Sequence, residues 1–140
     1  MSIEVHDASR HFVLSALLRL GHSASSVTSG RGPVDIVLER AGGIQTLQVR
    51  GSIVRRDWSV RDAQLLSPTA HFLALLYWGE LAAEPRTLPE LWILPQSSVS
   101  DFTRTVAGLE PMLRVHGQRL ERNGAQFRDA WYLLGVPPAI

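Results

Sequence analysis

Asp35, Gln48 and Arg50 are the residues whose types and spacing could do chemistry. They flank Gly42-Gly43, within a stretch from Pro33 to Arg50 that reads as a β-hairpin. The expected strands are 34–41 and 44–50, with Gly42-Gly43 supplying the positive φ angles of a two-residue turn. That turn would set Leu38 opposite Leu47, Ile36 opposite Val49 and Asp35 opposite Arg50. Alternation then places Val34, Ile36, Leu38, Leu47 and Val49 on an apolar face. Asp35, Val37, Glu39, Thr46, Gln48 and Arg50 fall on the other face. Two chemistries fit this arrangement. One is a cross-strand Asp–Arg pair on a solvated sheet, with a glutamine beside it. The other is a phosphodiesterase centre. There Asp35 would hold a divalent cation, Gln48 would add an oxygen ligand, and Arg50 would orient water or stabilise phosphate charge.

The pair Pro33-Val-Asp35-Ile-Val and Gln48-Val-Arg50 resembles the motifs of the PD-(D/E)XK, or restriction-endonuclease-like, nuclease superfamily. The form with glutamine before the basic residue is similar to its Mrr-type and Holliday-junction-resolvase-like branches. The resemblance implies a three-layer α/β sandwich, with a central mixed sheet carrying the motif hairpin (33–50) and helices on either side. It implies Mg2+ or Mn2+ held by Asp35 and Gln48, with Asp35, Gln48 and Arg50 as the catalytic set. It also implies nucleic acid, DNA foremost, as the partner.

Two positions depart from the family pattern. The family opens on a helix with a glutamate spaced Glu-x-x-Val-x-x-x-Leu-x-x-x-Gly. Val13, Leu17 and Gly21 match that spacing, but Arg10 stands at the glutamate position. The family lysine is replaced by Arg50, whose pKa is too high for it to serve as a base. Three readings follow. An active nuclease would have an open polar cleft around Asp35, lined by Arg31, Arg55 and Arg56. A degraded relative that binds nucleic acid or a partner protein would join Arg10, Asp35 and Arg50 in an ion-pair network, with weakened catalysis. A plain interaction subunit would show an exposed apolar patch and no basic cleft.

Around the hairpin, the 140 residues suffice for one domain over 1–140. All 14 basic side chains are arginine, and net charge is +1, so a nucleic-acid surface must be a local patch. Arg31 precedes Asp35, and Arg55, Arg56 and Arg61 surround Trp58. Arg31, Arg55, Arg56 and Trp58 are therefore the candidate nucleic-acid-binding residues. The absence of cysteine excludes disulfides and thiolate metal sites and fits a reducing, cytoplasmic setting. No apolar run is long enough to span a membrane, and the first residues lack the pattern of a signal peptide. A homodimer stays open.

The elements that must position the hairpin follow from periodicity. Phe12, Val13, Ala16, Leu17 and Leu20 predict a helix capped by Asp7 or Ser9 and ended by Gly21. Residues 22–28 predict a first strand. Residues 62–66 predict a short helical turn. His71–Trp78 reads as a buried central strand and Leu91–Pro95 as another, with a loop at 80–89. His71, at a strand start, reads as a core-packing or exposed-edge residue rather than a metal ligand. Ser97 or Ser98 is expected to cap a helix running to about residue 107. A turn is expected at Gly117, and a closing helix over 125–134 with Phe127, Trp131 and Leu134 on one face.

Overall fold

The computed structural model describes residues 4–27, 34–40, 42–61, 71–105 and 112–135, with the backbone alone at 61, 104–105 and 112–113. The elements in chain order are α1 (Val5–Arg19), β1 (Ser23–Ser26), β2 (Ile36–Arg40), β3 (Gly43–Ser52), β4 (Asp57–Arg61), β5 (His71–Tyr77), β6 (Glu90–Pro95), α2 (Gln96–Val99), β7 (Thr103–Thr105), β8 (Met112–His116) and α3 (Gly117–Asn123). Short 3-10 turns at 100–102, 125–127 and 131–134 complete it.

The central sheet has the order β1-β2-β3-β5-β6. It is mixed: β3 and β5 run parallel and the other pairs antiparallel. β5 occupies the interior, and its alternation divides the core. Phe72, Ala74 and Leu76 face one cluster with Val13, Leu17, Ile36, Leu38, Leu47, Val49 and Ile93. Leu73 and Leu75 face a second with Trp58, Val60, Trp92, Leu94, Val115 and Leu120. A strand buried on both faces must be apolar at every position, as His71–Tyr77 nearly is. Helix α1 and the 131–134 turn cover the first face. A second, antiparallel sheet, β4-β8-β7, covers the other together with α2 and α3. The expected three-layer α/β sandwich is present, and one of its outer layers contains a small sheet.

The hairpin register differs from the expected one. Ile36 pairs with Leu47, Leu38 with Gln45, and Arg40 with Gly43. The turn thus sits one residue earlier, and opposing strands are offset by two. Of the two glycines, Gly43 carries the positive φ, at 138°. An offset of two leaves every side chain on its original face, so Ile36, Leu38, Leu47 and Val49 still enter the core.

Other boundaries also moved. Helix α1 begins at Val5 with no side-chain cap; Ser9, an expected cap, is buried and accepts a hydrogen bond from Trp78 Nε1 at 2.9 Å. The helix expected to reach residue 107 stops at Val99, and the chain becomes β7 by Thr103. Residues 112–116 form a strand, and Gly117 begins α3 rather than a turn. The closing helix over 125–134 is two 3-10 turns, separated by Asp129 at a φ of 51°. The helical turn expected at 62–66 lies outside the described residues.

Candidate functional site

Asp35 sits immediately before β2, and its backbone N–H donates to Leu47 O at 2.8 Å. This bond anchors the residue to β3 and turns its carboxylate along that strand. Oδ2 accepts the Val49 backbone N–H at 2.7 Å. Arg50 Nη1 lies 3.4 Å from the same oxygen and donates to Val49 O at 2.8 Å. Asp35 and Arg50 therefore converge as expected, through the strand backbone rather than as directly opposed residues.

The other carboxylate oxygen, Oδ1, faces His6 Nε2 at 3.4 Å. His6 lies in the first turn of α1, and sequence reasoning missed it because it began the helix at Asp7 or Ser9. Extending the Leu17–Val13 spacing backwards through Arg10 reaches His6, so the signal was in the same stripe. The close approach of α1 to β3 puts His6 there. At Gly51, a Cβ would overlap the Ser9 hydroxyl and press on Val5 O, so the missing side chain lets the helix descend onto the strand.

Arg10 does not join this group. Its Nη2 pairs with Asp7 Oδ1 at 3.1 Å, one helical turn away. The expected Arg10–Asp35–Arg50 network is thus replaced by His6–Asp35–Arg50. Gln48 is fully buried rather than on an open polar surface. In register it stands beside Leu73, whose side chain enters the second core, and the small sheet covers that face. Thr46 and His71 stand next to each other on the same ladder, with Thr46 Oγ1 2.7 Å from His71 Nδ1. Burial pushes the His71 imidazole down to about 4, so it is a neutral core group.

A hard divalent cation takes several oxygen ligands, usually more than one carboxylate. Asp35 supplies one carboxylate, already engaged by an amide, a guanidinium and an imidazole. Among the described residues no three His, Asp or Glu side chains cluster to hold a metal. The described donor set does not fit a magnesium or manganese centre at Asp35 and Gln48.

The candidate nucleic-acid residues separate. Trp58 is 3% exposed, stacks edge-on against Trp92 and donates from Nε1 to Leu76 O at 2.9 Å. It is a core residue, because strand alternation in β4 turns it and Val60 inward; it offers no stacking surface. Arg56 is held by Glu90 through two bonds of 2.9 and 2.8 Å, with Glu121 at 3.3 Å, and lies over the Tyr77 ring at 4.5 Å. Arg55 is exposed. Arg31 lies outside the described residues. Arg55 and Arg56 do line a cleft of about 580 Å³, but with Asp57, Tyr77, His116 and Arg119 rather than with Asp35.

No family model and no curated protein matches this chain. Solved structures do. One is Hjc, a Holliday junction resolvase from the archaeal hyperthermophile Archaeoglobus fulgidus, at a TM-score of 0.53 and 15% identity, covering 84% of this chain and 88% of that one. Another is the bacterial homing endonuclease I-Ssp6803I, at a TM-score of 0.53 and 12% identity, covering 92% of this chain and 88% of that one. The chain therefore shares the mixed α/β fold of these two proteins, with the five-stranded sheet at its centre. No helix among the described residues is long and apolar enough to cross a membrane.

Proposed function

We propose that this chain is a nuclease-fold protein that binds DNA, with metal-dependent phosphodiester hydrolysis weakened or lost at the Asp35 site. The fold shared with a resolvase and a homing endonuclease supports the nucleic-acid part of this reading. The observation that carries the second part is the state of the Asp35 carboxylate. Its Oδ2 accepts the Val49 amide beside the Arg50 guanidinium, and its Oδ1 faces His6. A cation entering here must compete with a fixed positive charge 3.4 Å from its one carboxylate. Arg50 neutralises and orients; it takes no proton. In this reading Asp35 fixes the strand end and positions Arg50 toward phosphate, and Gln48 is a buried packing residue.

Calorimetric titration of magnesium and manganese into the wild type and Asp35→Ala tests this. The expected result is no Asp35-dependent binding in the millimolar range, with duplex or branched DNA retained but not cut. Metal binding that disappears in Asp35→Ala, together with cleavage that disappears with it, overturns the proposal and restores Asp35 as a metal ligand.

A further inference from the structure

The small sheet that completes the second layer presents an outward face that the hairpin motif does not explain. Within the β4–β8 pair, Asp57 is opposite His116 and Ser59 opposite Arg114. Trp58, Val60 and Val115 alternate with them and are buried in the core. Two adjoining clefts run along this face, of about 580 and 310 Å³, and share Val54, Arg55 and Asp57. Arg119 of α3 lines the first, and Arg114 lines the second.

The acids along these clefts are already committed. Glu90 and Glu121 hold Arg56. Asp57 Oδ1 accepts the Gly117 N–H at 3.3 Å and lies 3.7 Å from His116 Nδ1. Arg55, Arg114 and Arg119 have no carboxylate partner among the described residues; Arg119 instead donates to Thr103 O at 3.4 Å. Three guanidinium groups without an ion-pair partner among the described residues thus lie along these adjoining clefts, beside Asp57 and Glu121, which have partners of their own.

The groove offers charge without a stacking platform. Trp58 and Trp92 are in the core, and the Tyr77 ring is covered by the Arg56 guanidinium. Single-strand binding surfaces combine a basic track with exposed aromatics on which bases stack. Duplex binding draws its affinity from phosphates on the outside of the helix, contacted by arginine without base readout. Ser52 lines the second cleft and lies two residues beyond Arg50 on the same face of β3, but neither Arg50 nor Asp35 lines either cleft.

We propose that Arg55, Arg114 and Arg119 form a phosphate track for the backbone of double-stranded DNA along the outer face of the small sheet, with Arg56 as its scaffold. This rests on the DNA-binding reading above and assigns that reading a surface away from Asp35.

The test is a salt titration of binding to a fluorescent DNA duplex and to a single strand of the same length. It compares the wild type, Arg55→Ala/Arg114→Ala/Arg119→Ala, and Arg50→Ala. Each lost phosphate contact removes about 0.9 from the slope of log K against log salt. The triple variant is expected to lose about 2 to 3 from that slope and to bind the duplex at least about tenfold more weakly at low salt. Circular dichroism and the melting temperature confirm that it is folded. Wild-type binding that survives unchanged in the triple variant overturns the track; if Arg50→Ala alone then weakens it, DNA binding stands but belongs to the hairpin. Wild-type preference for the single strand overturns the duplex assignment. No binding to either probe overturns both this proposal and the DNA reading beneath it.

Discussion

His6 Nε2 lies 3.4 Å from Asp35 Oδ1, linking the first turn of α1 to the residue that opens the motif hairpin. The imidazole is half exposed while the carboxylate is 14% exposed, so the helix shields one side of Asp35. On the other side the Val49 amide and Arg50 fix Oδ2. Asp35 is thereby a junction of helix and strand, whatever ligand the site meets.

Asp35→Ala should destabilise the fold. It leaves the Val49 N–H without its acceptor, at a cost of about 1–3 kcal/mol. Asp35→Asn keeps an oxygen for that amide and should recover much of the loss. Urea denaturation of both variants checks this; equal stabilities would show that the amide bond contributes nothing.

Gly51→Ala should also be costly. The added Cβ would meet Ser9 Oγ and Val5 O, and backbone cannot move aside as a side-chain tip can. Overpacking of this kind costs about 1–3 kcal/mol. If instead α1 lifts from β3, His6 separates from Asp35. A melting temperature within a degree of the wild type would contradict the close packing.

The central sheet was legible in the sequence because its signals are local and strong. His71–Tyr77 is an apolar run that no surface strand would carry, and the hairpin faces follow from strict alternation. The register offset escaped because shifting the strand pairing by two residues changes neither face. The small sheet was illegible for a different reason. β4 and β8 are separated by more than fifty residues, and their short alternations, such as Trp58 and Val60 against Val115, acquire meaning once they pair. Trp58 and Gln48 were consequently assigned to an open surface. Among arginines, sequence proximity suggested a cluster, yet Glu90, thirty-four residues from Arg56, decided which of them was held. The Arg114 and Arg119 positions, remote from the motif, gave no signal at all.

Stability should fall as pH drops from about 6.5 towards 4. The buried His71 titrates at about 4, below its ordinary value near 6.5, because desolvation disfavours the charged ring. Between those values the unfolded chain binds a proton that the folded chain does not, so stability rises with pH there and is fully present above 6.5. His22, whose pKa is lowered by burial and then by Arg40, acts in the same direction. For His71 the contribution is about 3 kcal/mol over the whole interval. Unfolding free energies measured from pH 4 to 7 should show a shallower slope in His71→Gln than in the wild type. Parallel slopes would mean that His71 charges freely in the folded state.

Arg56→Gln should affect the fold more than the ligand. Its guanidinium is held by Glu90 and Glu121 and covers Tyr77, and the same hydrogen bonds from Arg56 pull the Glu90 pKa down. The pair is partly exposed, so solvent and salt screen it, and its loss together with the ring contact amounts to about 1 kcal/mol. An arginine already shared by two carboxylates carries little net charge to a phosphate. The variant should therefore melt at a lower temperature yet keep the salt slope of the wild type in duplex binding. A slope reduced by about 1, with the melting temperature unchanged, would instead make Arg56 a phosphate contact in its own right.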